Sequence, residues 1–514
     1  MQAGDSGLTE GTDRSAANRE PRASSSMLGG SSLLAVTRYV GAGIGFVTNV
    51  IIIHSLSESD FGRYSYIFSL LAIVGLVSEL RLSRAVLSSV MDAREQAGKI
   101  IGSYALLRLL ISVVTYVVFL AIVVVSGNSN IVIAASALIG TSLIIAAWLR
   151  ALALLCEARL WFRTLAVSML AGFIAQGIAT VIIAIVHGTV VTFMLAAIAN
   201  FVVQLLYVMW ALRGQGHLRL RWHRNEWWPW LKEAAPLSLG NALDTIYFRI
   251  DIVMLPIIAS FSAAGFYGVG YKFSDLLGGA IPIAVLTPML TLMVETWPHE
   301  IERFQRTFRH AVLLLSITGV AAGVGFAILA RPVIVSIYGA RYEQSSTAAV
   351  WLVVGQVLHF YTALCFTTLM AVKRNFLYPV AMLIGVVINV LLNLVLIPRY
   401  SYTGSGVATV LTEIIVLAVL VFGVARIPDI GRLPVRPLMW IAVAGAVMAG
   451  VMLALNTTAP WVVTGIVGGL VFLAVLHFSK FDGPRGIRAV LDTEIVKPSQ
   501  LDLAEELEWE RRAE

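Results

Sequence analysis

Residues 234–279 read AAPLSLGNALDTIYFRIDIVMLPIIASFSAAGFYGVGYKFSDLLGG. Two apolar runs flank a short turn from Ser260 to Gly265. Each run approaches the roughly 20 residues that a membrane-crossing helix needs. Five charges stand inside them: Asp244, Arg249, Asp251, Lys272 and Asp275. An ionisable group at membrane depth is costly and usually marks a water-filled pathway or an ion pair. The stretch therefore sets the fold class, a helical membrane protein, and nominates the place where its chemistry sits.

The rest of the chain agrees. Of 514 residues, 58% are hydrophobic and 13% charged, against about 45–50% and about 25% in a soluble domain. A net charge of +7 would suit a nucleic-acid binder. The cations lie between apolar spans, however, where orientation in a bilayer accounts for them. Cys156 and Cys365 are the two cysteines. They have no metal-type spacing, so disulfide, metal and thiol chemistry are not expected.

Fourteen apolar segments of spanning length follow one another, which predicts an all-α polytopic membrane protein with about 14 transmembrane helices. Residues 1–30 read as a disordered tail with no signal peptide. Residues 31–212 read as an N-terminal six-helix lobe, 234–426 as a C-terminal six-helix lobe, and 437–480 as two additional helices. A polar tail, 481–514, follows. Between the lobes, 213–233 (RGQGHLRLRWHRNEWWPWLKE) is a basic, Trp-rich linker suited to the headgroup level. Cations concentrate in the even-numbered loops, for example Arg150, Arg159 and Arg163. The odd loops hold Arg63, Arg331, Arg341 and Arg399. By the positive-inside rule, both termini are expected in the cytoplasm.

A repeat is visible across the halves. SESDFGRYSYIFSLL (57–71) and SFSAAGFYGVGYKFSDLL (260–277) align Gly62 with Gly265 and Tyr64 with Tyr267. The offset covers an even number of spans, which implies a parallel pseudo-two-fold repeat with its axis along the membrane normal.

Asp244 and Asp251 are seven apart and share a helix face. Lys272 and Asp275, at i and i+3, can pair. Arg38 is the cation within span one, Arg108 lies in span three, and Glu413 is midway along span twelve. An arginine fork matches a phosphate or carboxylate bidentately, which favours Arg38 and Arg249 as ligand groups. Ion pairs that fix helix packing are the alternative for each charge. No phosphate loop, zinc motif or nucleophile elbow occurs. Neither an enzyme nor a cofactor is expected.

Three passages carry a family resemblance: 57–71, quoted above; 236–277, an Asp-centred span followed by Gly-x-Tyr; and INVLLNLVLIPRYSYTGSGVATVLTE (388–413). The last looks like an Asn-rich span ending Ile-Pro-x-Tyr, with Ser405 and Gly406 where alanines are usual. Together they resemble Wzx-type oligosaccharide flippases, the polysaccharide-biosynthesis branch of the MOP (MATE-like) exporter superfamily. The resemblance implies two six-helix lobes around a central cavity in the bacterial cytoplasmic membrane. It implies a substrate, a polyprenyl-diphosphate-linked oligosaccharide, moved by alternating access coupled to an ion gradient. Glycan polymerase or glycosyltransferase partners are then expected. Arg38, Arg249 and Lys272 would bind the diphosphate and sugar. Asp244, Asp251, Asp275 and Glu413 would serve gating or coupling to H+ or Na+. A multidrug/toxin extrusion antiporter of the same superfamily, a lipid II-type flippase and a non-transporting scaffold are the alternatives. Buried cations speak against the extruder.

Overall fold

In hydrocarbon every backbone N–H and C=O must be satisfied within the segment, so an apolar chain of this kind crosses as helices. The computed structural model describes residues 20–78, 82–92, 97–213, 224–374, 376–431, 433–479 and 481. Its described residues form fourteen α-helices, a single 3-10 turn at Ala340–Tyr342 and no strand. Eleven helices are long and apolar enough to cross a membrane. Three features separate this count from the fourteen expected spans. Helix α12 (Leu377–Ala425) is two helices joined at Ser401, which leaves helical geometry with φ 51° and ψ −137°. Helix α2 (Glu58–Gly75) carries Glu58, Asp60 and Arg63. The apolar half of α8 (Arg224–Ile258) carries Asp244, Arg249 and Asp251. Charge, not length, sets these last two apart.

The chain divides into two units. One comprises residues 1–55 and 74–238. It contains α1 (Glu20–Ser55), α3 (Leu82–Asp92), α4 (Ala97–Val125), α5 (Asn130–Ala158), α6 (Phe162–Ile185), α7 (Val190–Ala211) and the first part of α8. Helix α1 packs along α6, and α5 against α4 and α7. The short α3 is amphipathic. Leu82, Ala85, Val86 and Val90 lie against Ile101 and Tyr104 of α4 and Trp230 of α8.

That last contact changes the reading of the Trp-rich segment. Residues 214–223 lie outside the described residues, but from Arg224 onward the segment is already helix. The Trp227 indole N–H donates to Ser103 Oγ at 2.9 Å and that of Trp230 to Ser89 Oγ at 3.1 Å. A buried indole needs such an acceptor for its N–H. These two rings therefore belong to the packed unit, while Trp228 stays exposed.

The other unit comprises residues 56–73 and 239–514. It holds the rest of α8, α9 (Phe261–Thr296), α10 (Ile301–Tyr338), α11 (Ser345–Ala371), α12, α13 (Val435–Leu455) and α14 (Trp461–Phe478). Helices α13 and α14 pack on α10 through Ile441, Met448, Phe472 and Leu313. Helix α2 also belongs here, apart from its neighbours in sequence.

The reason is a glycine crossing. A Cβ at Gly62 would overlap the carbonyl oxygen of Phe261, and a Cβ at Gly265 that of Glu58. Each glycine meets the residue four before the other, so the contact is reciprocal and follows the repeat. Only glycine allows backbones so close. The crossing is sealed by aromatics. Tyr66 and Tyr342 meet Phe261 and Phe61 edge-on, and the Arg63 guanidinium sits 5.6 Å from the Phe261 ring centre. Burial in this cluster pushes the Tyr342 phenol above its ordinary range. Both cysteines are free and buried.

Candidate functional site

Helix α8 enters the second unit as an apolar helix interrupted by charges, and the neighbouring helices supply a partner for each. Asp251 is 1% exposed. Its Oδ2 accepts from the Tyr267 hydroxyl of α9 at 2.6 Å and from Thr409 Oγ1 of α12 at 2.9 Å. Its Oδ1 is buried without a hydrogen-bond partner among the described residues. A buried carboxylate left half-satisfied is costly, which makes that oxygen a natural position for a proton or a cation.

Glu413, halfway along the second part of α12, is also 1% exposed. Its Oε1 accepts from Thr362 Oγ1 at 2.5 Å and lies 3.2 Å from His359 Nδ1, both on α11. Its Oε2 accepts from the Tyr247 hydroxyl of α8 at 2.5 Å. One turn before Tyr247, Asp244 Oδ1 accepts from the Tyr378 hydroxyl at 2.6 Å. Phe248 packs edge-on to the His359 ring, 4.8 Å between centres. Asp244, Glu413 and His359 thus gather on α8, α11 and α12.

The fourth carboxylate, Asp275, faces a different partner from the one its sequence spacing suggests. It pairs with Arg249, whose Nη2 lies 3.3 Å from Oδ2, rather than with Lys272. The cause is Tyr271. Its ring lies one helical turn before Asp275, on the same face of α9, and the Arg249 guanidinium stacks 5.0 Å from its centre. Stacking delivers the guanidinium to Asp275. A single Arg249 nitrogen holds the carboxylate, with the second oxygen at 3.4 Å.

The Asn-rich passage also takes shape here. Asn389 and Asn393 are fully buried. Asn393 Nδ2 donates to Asn389 Oδ1 at 2.9 Å and to its backbone oxygen at 3.0 Å. Asn393 lies between Val390 and Ile397, which pack against Leu255 and Tyr267. Asn393 Oδ1 and Ser405 Oγ are, like Asp251 Oδ1, buried without a partner among the described residues. The small residues of this passage are required by space. A Cβ at Gly404 would overlap the Leu396 carbonyl oxygen, and one at Gly406 would come 2.9 Å from Trp351 Cβ.

Of the expected site residues, Asp244, Asp251 and Glu413 come together with hydroxyl donors, and Arg249 and Asp275 pair beside them. Lys272 is half-buried on α9. Arg38 belongs to the other unit and is exposed on α1. That unit buries a different arginine, Arg108. It donates to the Tyr104 hydroxyl at 2.9 Å and to the Ser78 carbonyl at 2.7 Å. Sequence reasoning missed His359, Tyr247, Thr362, Tyr267, Thr409 and Tyr378. One signal existed for His359, an ionisable side chain halfway along an apolar span. The hydroxyls read as ordinary core or interface residues.

The family model described as "Polysaccharide biosynthesis protein" matches residues 55–347. No curated protein matches the chain. Among solved structures, it is similar to the lipid II flippase MurJ in an inward closed conformation, with a TM-score of 0.74. Identity there is 16%, over 88% of this chain and 99% of that one. It is similar to an inward-facing multidrug resistance MATE family transporter of the MOP superfamily. The TM-score is 0.62 at 13% identity, over 75% and 94% of the two chains. A MOP superfamily transporter from Pyrococcus furiosus gives 0.51 at 14% identity, over 78% and 96%. At these identities the likeness is one of fold.

Proposed function

The chain belongs to the polysaccharide biosynthesis protein family, and from that premise we propose that it is a flippase for a polyprenyl-diphosphate-linked oligosaccharide. It carries the lipid-linked glycan across the bacterial cytoplasmic membrane for surface polysaccharide synthesis, by alternating access coupled to an ion gradient. The family supports the glycan, and the MurJ- and MATE-like fold supports a transporter rather than an enzyme.

The observation that carries the reading is Arg249. It is a guanidinium in the apolar half of α8, steadied by the Tyr271 ring and held by Asp275 through one nitrogen. The rest of its fork is suited to a diphosphate oxygen pair. Lys272, one residue after Tyr271, adds a second cation for the anionic head group. Arg38, exposed on α1, is assigned to anionic groups of the same substrate class. Asp244, Asp251, Asp275 and Glu413 serve gating or coupling to H+ or Na+. A glycan polymerase or glycosyltransferases are the expected partners. Both termini are assigned to the cytoplasm, so a reporter fused after Gly214 should stay inside.

Arg249→Ala should abolish export of the glycan while the protein remains in the membrane at normal level. Full activity of that variant would overturn the assignment. The fold likeness to MurJ favours a second reading, a lipid II-type flippase. Complementation of strains that each lack one flippase separates the two by which glycan returns to the surface.

A further inference from the structure

The donors around Glu413 define its protonation. Thr362, Tyr247 and His359 all direct polar hydrogens or ring nitrogen at its two oxygens. The two hydroxyl donors, one on each oxygen, favour the ionised form, which only accepts. The ring nitrogen of His359 that faces it, Nδ1, must then carry a hydrogen. A hydrogen bond at one imidazole nitrogen decides which tautomer is present. With Nδ1–H fixed by Glu413, the nitrogen left to gain or lose a proton is Nε2.

The surroundings of the ring suit such exchange. Glu413 from α12 and Asp244 from α8 are the two charges that act on His359. Tyr247 and Tyr378 are each hydrogen-bonded to one of those carboxylates. Phe248 covers the ring edge-on. Asp244 is half-buried and Glu413 fully so, which places the histidine between a more open and a closed carboxylate.

We propose that His359 is the group that binds and releases the coupling proton, at Nε2. Glu413 is a positioning residue that holds the Nδ1–H tautomer, and Asp244 supplies the second negative charge. The protonated ring carries its positive charge between two carboxylates. Release removes only the Nε2 proton and leaves the Nδ1–H bond to Glu413 in place. The assignment rests on the transport reading above and names its ion.

The test uses the full chain labelled with 15N-histidine in nanodiscs, where the His359 signal among the eight histidines is the one lost in His359→Gln. The expected result is a signal that titrates between about pH 5 and 8 and whose neutral form is Nδ1–H. In Glu413→Gln, the neutral form should shift toward the Nε2–H tautomer that free histidine prefers. A signal that does not titrate, a wild-type neutral form of Nε2–H, or an unchanged tautomer in Glu413→Gln would each overturn the proposal. Transport gives the second arm. In proteoliposomes with a polyprenyl-diphosphate glycan, each variant's flipping rate with a pH gradient is divided by its own rate without one. The wild-type ratio should fall to about one in His359→Gln and in His359→Asn. A ratio that persists in both overturns the proton site. A wild type that flips nothing overturns the flippase reading, and the tautomer measurement still decides the role of His359.

Discussion

In the first unit, the polar side chains at the middle of α6 and α7 are neutral amides. Asn200 Nδ2 donates to Gln176 Oε1 at 2.9 Å, and Gln204 donates in turn to Asn200 Oδ1. In the second unit, the middle of α8 and α12 carries carboxylates held by tyrosine and threonine hydroxyls. Both arrangements satisfy polar groups in hydrocarbon, but they respond differently to their surroundings. An amide chain has no titratable proton, so it holds two helices together whatever the pH or ion. A buried carboxylate with an oxygen left unpartnered, as at Asp251, can take up a proton or cation there. The repeated architecture has thus kept a rigid polar seam in one unit and a responsive one in the other.

The comparison can be broken most directly at Asp251. Coupling between two ligands is typically worth about 1–3 kcal/mol, roughly 5- to 150-fold. Asp251→Asn keeps the shape and removes the charge, so gradient-driven export should fall by on the order of tenfold or more. Gln176→Leu in the other unit should leave the gradient dependence intact. Equal losses in the two variants would end the distinction.

A smaller effect tests the symmetry beneath it. Overpacking a close contact costs about 1–3 kcal/mol. Gly62→Ala and Gly265→Ala each press a Cβ onto the opposite carbonyl, so thermal unfolding of the purified protein should drop by similar amounts in both. A large loss in one and none in the other would contradict the reciprocal crossing.

The smallest effects come from the first unit's neutral bonds. Trp230→Phe leaves Ser89 without its indole donor and should lower stability by about 1 kcal/mol. Trp228→Phe, at a ring 72% exposed, should change nothing measurable. Asn200→Leu removes an interhelical bond of the kind worth about 0.6 kcal/mol in membranes. A larger loss than that of Trp230→Phe would mean the amide chain does more than join helices.

Much of this was legible in the sequence, for identifiable reasons. The spans follow from uninterrupted apolar length, and Asp251 and Glu413 are conspicuous because a charge there has no bland surroundings to hide in. Gly62 and Gly265 were legible as an aligned pair, but not as a contact. Alignment says two places are equivalent and is silent on whether they touch. The Lys272–Asp275 pairing failed because spacing on one helix cannot see a stacked guanidinium arriving from another. Tyr247, Tyr378 and Thr409 lie 166, 134 and 158 residues from the carboxylates they serve. A lone hydroxyl in an apolar helix gives no hint of so distant a partner. The placement of α2 with the second unit was hidden likewise, since its neighbours along the chain belong to the first.

The reciprocal crossing has a genetic consequence. A tight fit between two side chains can be repaired by shrinking the partner when one of them grows. Here each glycine abuts the other helix's carbonyl oxygen, and neither the oxygen nor the facing glycine has anything to give up. A selection for suppressors of Gly62→Ala should therefore yield true revertants, and none at position 265.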